Sequence, residues 1–237
     1  MVRRLRIAAA ILGSSVLLGG AVWALVGSPW LRYQHLEVAG NTRAPVAHLR
    51  HLANLPEGQA LVLLDLDGAV AGVRRHPWVA SAEARRSFPN AVVLTVTERR
   101  PVALLQQSGG LYLVDDTGTV FARAGADDLD HPVLTGLDGA LADAEPELAR
   151  KVLRTSLDWL TAAQAQGGVP EHELSELRFD AETGYTLYLR NGGEVLLGFT
   201  GQERVARLSM LTSRGLDLAV PHRVDLASDR LAVVTPL

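Results

Sequence analysis

HPWVASAEARRSFPNAVVLTVTE, residues 76–98, is the stretch that decides how this chain folds. His76-Pro77 ends whatever helix precedes it, because the residue before a proline is pushed out of the helical region. Val79 to Arg86 then reads as a strand and Phe88-Pro89-Asn90 as a turn. Val92 to Glu98 reads as a second strand, dense in β-branched residues (Val92, Val93, Thr95, Val96, Thr97). Upstream, Leu66 to Arg75 reads as a helix with Ala69, Val70 and Val73 inward. Leu55-Pro56-Glu57-Gly58 separates it from an earlier helix carrying Val46, Leu49 and Leu52, with Thr42 as its cap and Pro45 in its first turn. Leu36-Glu37-Val38 alternates like a strand and stops at the turn pair Gly40-Asn41. The order is β-α-α-β-β.

Further towards the N-terminus, Ile7 to Val26 is a run of 20 residues without a charge. A helix of that length spans roughly 30 Å, about one bilayer core. Arg3, Arg4 and Arg6 precede it and no acid lies before Glu37, so residues 1–6 read as a cytoplasmic stub and 7–26 as a transmembrane helix. Everything after it is then exported to the periplasm. The rival reading is a cleaved signal peptide, with Val22-Trp23-Ala24 as a loose cleavage pattern; the length of the apolar run favours a retained anchor. The whole chain carries 23 basic and 26 acidic residues, a net charge of −3. Three of the 23 basic residues precede the apolar run, which leaves the exported part with a net −6.

Downstream of Pro101 a second α+β domain follows. Val102 to Gln106, Leu111 to Val114 and Thr119 to Ala122 are strand-like, joined by Ser108-Gly109-Gly110 and Asp115-Asp116-Thr117-Gly118. Pro132 to Thr135 is another short strand. Glu145 to Gln166 is a helix striped by Leu148, Val152, Leu153, Leu157 and Leu160, and Gly167-Gly168 ends it. Leu177 to Phe179, Tyr185 to Arg190 and Val195 to Phe199 form a meander with a hairpin signal at Asn191-Gly192-Gly193. Thr200-Gly201-Gln202-Glu203 is a capping box that opens a helix with Val205, Leu208 and Leu211 inward, closed at Gly215. Arg223 to Val234 reads as one last strand. The exported part is thus a domain over 27–101 and a mixed antiparallel β domain with two helices over 102–237.

Composition narrows the function. At 48% hydrophobic and 21% charged the chain is globular rather than disordered. A near-neutral balance argues against general nucleic-acid binding. The absence of cysteine excludes disulfides, thiolate-ligated zinc, iron–sulfur clusters and cysteine nucleophiles, and Lys151 is the only lysine. His48-Leu49-Arg50-His51 has no glutamate to serve as a metalloprotease base. Asp65-Leu66-Asp67-Gly68 lacks the twelfth-position acid of a calcium loop, His76 standing there instead. No nucleophile elbow or phosphate loop occurs. Asp115 and Asp116 read as turn formers and Trp78 as a core plug. These readings point to no catalytic residues, metal or cofactor.

Gly58-Gln59-Ala60-Leu61, Leu64-Asp65-Leu66, His76-Pro77-Trp78-Val79, Phe88-Pro89-Asn90 and Val96-Thr97-Glu98-Arg99-Arg100-Pro101-Val102-Ala103 together resemble the bacterial cell-division family FtsQ, called DivIB in Gram-positive bacteria. Leu113-Val114-Asp115, Gly118-Thr119-Val120-Phe121 and Val224-Asp225-Leu226 extend the resemblance over nearly the whole chain. It implies that the β-α-α-β-β segment is a POTRA domain implicated in septal localisation. It further implies a single-pass, non-enzymatic divisome scaffold of the inner membrane, at the septum, linking early and late division proteins. Its exported β domain would bind FtsB with FtsL, in a machinery that includes FtsK and the septal synthase FtsW/FtsI, and so control septal peptidoglycan synthesis. The alternative is a POTRA-bearing component of outer-membrane assembly or secretion, but no series of amphipathic barrel strands follows.

The resemblance places partner binding on the last strand and the helix before it. From the residues alone, 224–234 is either a capped strand or an exposed edge, and the resemblance selects the edge. Val224 and Leu226 share one face, while Leu231 and Val233 have the opposite parity, so a bulge is expected over Ala227-Ser228-Asp229-Arg230. The expected contact set is Val224, Asp225, Leu226, Ser228, Arg230, Leu231, Ala232 and Val233. Arg204, Arg207 and Arg214 of the preceding helix are read as exposed cations, either a solvated face or a match for an acidic partner. One position departs from the family pattern: Ser228 stands where an aromatic residue follows the Val-Asp-Leu.

Overall fold

The computed structural model describes residues 19–20, 28–137, 144–165, 169, 171–199, 203–228 and 231–237. The expected transmembrane helix over 7–26 falls outside these residues apart from Gly19 and Gly20. Among the described residues no helix is long and apolar enough to cross a membrane. The chain divides into two compact units between Arg99 and Arg100.

The first unit contains strand β1 (His35–Ala39), helix α1 (Val46–Ala53), helix α2 (Leu66–Val73), strand β2 (Val79–Ser87) and strand β3 (Ala91–Glu98). Strand β3 is central: β1 pairs with it in parallel and β2 antiparallel. Leu36, Val92, Leu94 and Val96 on the strands bury against Leu49 and Ala53 of α1 and Ala69 and Val73 of α2. Each fully buried Leu or Val of this kind contributes about 1.5–3 kcal/mol. The helices cross at Gly72, where a Cβ would lie 2.1 Å from the Leu52 carbonyl oxygen, so only glycine admits this approach.

Thr42 does not cap α1. The N-cap position is Pro45, with no side-chain bond, and the backbone N–H groups of Thr42, Arg43 and Ala44 all donate to the Glu98 carboxylate at 2.7–3.0 Å. One acid at the end of β3 therefore ties down the whole β1–α1 connection. Burial raises the Glu98 carboxyl pKa, but the bonds from Arg43, Ala44 and Thr42 outweigh it and the net shift is downward. Beside it, burial and then the His48 ring hold His76 below its ordinary value, against an upward pull from Glu98. The His48 and His76 rings meet edge-on with centroids 4.9 Å apart, so His48 pairs with His76 rather than with His51. Trp78 is half-buried, with the Arg43 guanidinium 4.7 Å over its ring.

The second unit is one nine-stranded sheet: β4 (Pro101–Gln107), β5 (Gly110–Asp115), β6 (Val120–Arg123), β7 (Val133–Thr135), β8 (Leu174–Asp180), β9 (Gly184–Leu189), β10 (Glu194–Gly198), β11 (His222–Asp225) and β12 (Val233–Pro236). The spatial order is β12-β11-β10-β9-β8-β7-β4-β5-β6. Helix α3 (Pro146–Ala165) joins β7 to β8 and helix α4 (Glu203–Ser213) joins β10 to β11. Both pairs are parallel, as strands linked by a helical crossover must be for the chain to return to the same end of the sheet. The sheet is therefore mixed but mainly antiparallel, with β4 and β7 a third parallel pair. The expected stops at Gly167-Gly168 and the start of the capping box at Thr200 to Gln202 lie outside the described residues. Asp115 is buried and accepts the N–H groups of Thr117 and Thr119, which makes it the former of its turn.

Candidate functional site

The last strand of the sequence reading is two strands. β11 and β12 run antiparallel, pairing His222 with Pro236, Arg223 with Thr235, Val224 with Val234 and Asp225 with Val233. The change of side-chain parity between Leu226 and Leu231 therefore marks a reversal of the chain, not a bulge within one strand. The physical reason is that a partner for Val224 already exists ten residues later, in the β-branched run Val233-Val234-Thr235. Among the described residues β12 is left as one of the sheet's two outermost strands, β6 being the other.

The register explains what this edge offers. Leu105, Leu134, Leu177, Leu187, Val195, Val224 and Val234 are paired in turn, each with the next, in one row across seven strands. The first six are buried, Val195 and Val224 completely, beneath Val152, Trp159 and Leu160 of α3 and Val205 and Leu208 of α4. The row ends at Val234, which is 40% exposed. Val233 on the other face is also exposed, as are Leu231 and Leu237 to either side. The core stripe thus runs out to an open edge, where an added strand would both pair with the β12 backbone and continue the apolar row.

The expected contact residues separate accordingly. Val224 and Leu226 are fully buried core residues, and the Leu226 N–H donates to the Leu196 carbonyl. Asp225 is half-buried and accepts the Ala227 N–H at 2.8 Å. Ser228, Leu231, Ala232 and Val233 are exposed, while Arg230 lies outside the described residues. Sequence reasoning missed Val234, Thr235, Pro236 and Leu237. The β-branched run before Pro236 is the signal that would have found them, since proline within a sheet belongs on an edge.

Arg204 is not an exposed cation. Only 6% exposed, it donates to the Leu197 carbonyl. Gly198 makes room for it: a Cβ there would lie 2.5 Å from the guanidinium and 3.5 Å from Ala227. The arginine therefore packs where β10 ends and the chain leaves β11. Arg207 is half-buried and donates to the Ser228 carbonyl at 2.7 Å. Two of the three helix arginines thus brace the frame of the hairpin, and only Arg214 is exposed. Arg223 forms a cross-strand ion pair with Glu194 at 3.2 Å.

Elsewhere a groove of about 530 Å³ is lined by Leu148, Val152, Phe179, Tyr185 and Phe199. Burial raises the Tyr185 pKa, and its hydroxyl faces the Val152 carbonyl rather than a base. Among the described residues no group of three or more histidine or carboxylate side chains is placed to hold a metal.

A family model described as the POTRA domain, FtsQ-type, matches residues 31–99, and one described as cell division protein FtsQ/DivIB, C-terminal, matches residues 103–227. The second match stops just before Ser228, so β12 lies beyond it. The chain is 41% identical over 211 residues to the cell division protein FtsQ of Anaeromyxobacter sp. (strain K), covering 87% of this chain and 70% of the relative. It is 36% identical over 230 residues to the cell division protein FtsQ of Myxococcus fulvus, covering 93% and 80% respectively.

Proposed function

The chain belongs to the FtsQ/DivIB family of cell-division proteins, and from that premise we propose that it is a non-enzymatic, membrane-anchored scaffold whose second unit captures the FtsB/FtsL complex by strand addition to β12. In this reading residues 7–26 hold the chain in the inner membrane with its bulk in the periplasm, and the captured complex links the division proteins to control of septal peptidoglycan synthesis. The family match over both units leaves no support for the alternative of outer-membrane assembly.

The observation that carries the reading is the open edge itself, with the apolar row of the core ending half-exposed at Val234. An unpaired row of backbone N–H and C=O groups recruits an extended segment, and Val234 and Val233 supply side-chain contacts on both faces. The buried brace from Arg204 and the Arg207–Ser228 bond hold the hairpin in place for that purpose.

The test is co-purification of the full chain in detergent with FtsB and FtsL. Val234→Asp together with Leu231→Lys is expected to lower the affinity by about tenfold or more, as for a central contact. The thermal unfolding of the variant should match that of the parent chain. Undiminished capture by a folded variant would overturn the reading.

A further inference from the structure

Five large apolar side chains of the first unit are exposed among the described residues: Trp30, Val46, Val62, Leu63 and Phe88. Four of them, all but Val46, belong to segments that the structure brings to one end of the unit. The Gln34 N–H donates to the Asn90 carbonyl, and the Asn90 amide to the Gln34 side chain, which sets the Phe88 turn beside the chain leading from Trp30. Arg32 bridges to Ala60 and donates to the Gly58 carbonyl. Arg86, opposite Val92 near the end of β2, donates to the carbonyls of Leu61 and Leu64 and pins the 3-10 turn carrying Val62 and Leu63. Trp30 is 81% exposed, Phe88 63% and Leu63 62%, values at odds with side chains of this size unless something covers them.

We propose that this end of the first unit is seated in the headgroup layer of the bilayer, with Trp30, Val62, Leu63 and Phe88 dipping into it. The proposal rests on the reading of residues 7–26 as a membrane span. Three residues separate Val26 from Trp30, so Trp30 lies within about 14 Å of the end of the span even if the link is fully extended. A bilayer carries about 5–8 Å of headgroup region on each side of its hydrocarbon core, so the tether keeps Trp30 within reach of the interface, and the exposed apolar side chains are what favour its seating there. Tryptophan and phenylalanine beside a span are the side chains that this layer accommodates.

The backbone of the patch favours lipid over a partner strand. The carbonyls of Gly58, Gln59, Ala60, Leu61, Leu63 and Leu64 all accept hydrogen bonds within the unit, from Arg32, Tyr33, Leu63, Arg86, Gln59 and Arg86 in turn; Leu61 also accepts the Leu64 N–H. A surface with most of its carbonyls satisfied internally can enter a poorly hydrated layer while stranding few of them. Exposed Arg32 and Arg85 stand at the same end and suit lipid phosphates.

The absence of cysteine makes the test direct. The full chain is reconstituted into vesicles of phosphatidylethanolamine and phosphatidylglycerol with a single spin label at Leu63→Cys, Phe88→Cys, Thr97→Cys or Val16→Cys. Labels at 63 and 88 are expected to be several-fold more accessible to oxygen, relative to a water-soluble nickel chelate, than the label at 97. If 63 and 88 match 97 while 16 reports hydrocarbon, the span stands and the proposal is overturned. A water-exposed label at 16 overturns both. Labels at 63 and 88 shielded from oxygen and nickel alike point to a protein partner on the patch and also overturn it.

Discussion

Two exposed apolar surfaces of this molecule, one in each unit, are opposites in their backbones. At the end of the first unit that carries Trp30, Leu63 and Phe88, carbonyl after carbonyl is occupied from within, by Arg32, Arg86 and the adjoining chain. At β12 the side chains are equally apolar, but the strand lies at one end of its sheet and has no neighbour on its outer side among the described residues. The first surface offers mainly side chains and suits a fluid, non-directional solvent such as lipid. The second offers a directional row of donors and acceptors and suits another strand. Apolar exposure alone does not distinguish a membrane contact from a strand-pairing site; the state of the peptide groups does.

The comparison is broken most sharply by Val234→Pro. Loss of the outward-facing donor in β12 and a fixed backbone angle should reduce capture of FtsB and FtsL by about tenfold or more in co-purification, while spin labels at 63 and 88 keep their accessibility. If both surfaces respond together, they are not independent. Arg204→Ala should destabilise the second unit by about 2–3 kcal/mol in urea unfolding, since it strands the Leu197 carbonyl and opens a gap against Gly198. Its effect on capture should follow from that loss of stability. Arg207→Ala should leave stability nearly unchanged, within about 1 kcal/mol, and raise hydrogen exchange over Ala227 and Ser228.

The first unit should also be the pH-sensitive one. His76 is held below its ordinary value of 6.5, so its contribution is present above that pH and is lost as pH falls from 6.5 towards the folded value. Glu98 is likewise held below its ordinary 4.5, and its contribution is present above that value and lost as pH falls through the folded value. Unfolding followed by tryptophan fluorescence from pH 7 to about pH 3 should show stability decreasing in two stages. Glu98→Gln should remove the lower stage and speed amide exchange at Thr42, Arg43 and Ala44. The smallest effect belongs to Glu194→Gln, which weakens an exposed pair with Arg223 and should change stability by about 0.5 kcal/mol or less.

Residues 76–98 were legible because everything they need is local: a proline stop, a turn and two strands, the second a run of β-branched residues, form a hairpin with near neighbours. The same rules misread 223–234, where alternation sees only parity and a reversal of the chain shifts parity just as a bulge does. They also misread Arg204, because a helix wheel shows which residues share a face but not what stands opposite. Here glycine at 198 leaves a guanidinium-sized space over a carbonyl. Glu98 was quoted as part of a motif, but its work is to accept three backbone donors from residues more than fifty positions earlier.

By itself the sequence determined the β-α-α-β-β order, the helices and most strands of the second unit, the apolar stretch 7–26, and through its motifs the resemblance to FtsQ/DivIB. Those follow from periodicity, turn chemistry and hydropathy, which act over a few residues. Only the tertiary structure decided that β12 is an edge strand, that Arg204 is buried, and that residues 30, 62, 63 and 88 meet at one end of their unit. Each of these depends on pairing between distant segments. Such pairing is set by how the whole set of apolar faces is buried and its peptide groups satisfied, which no local window contains.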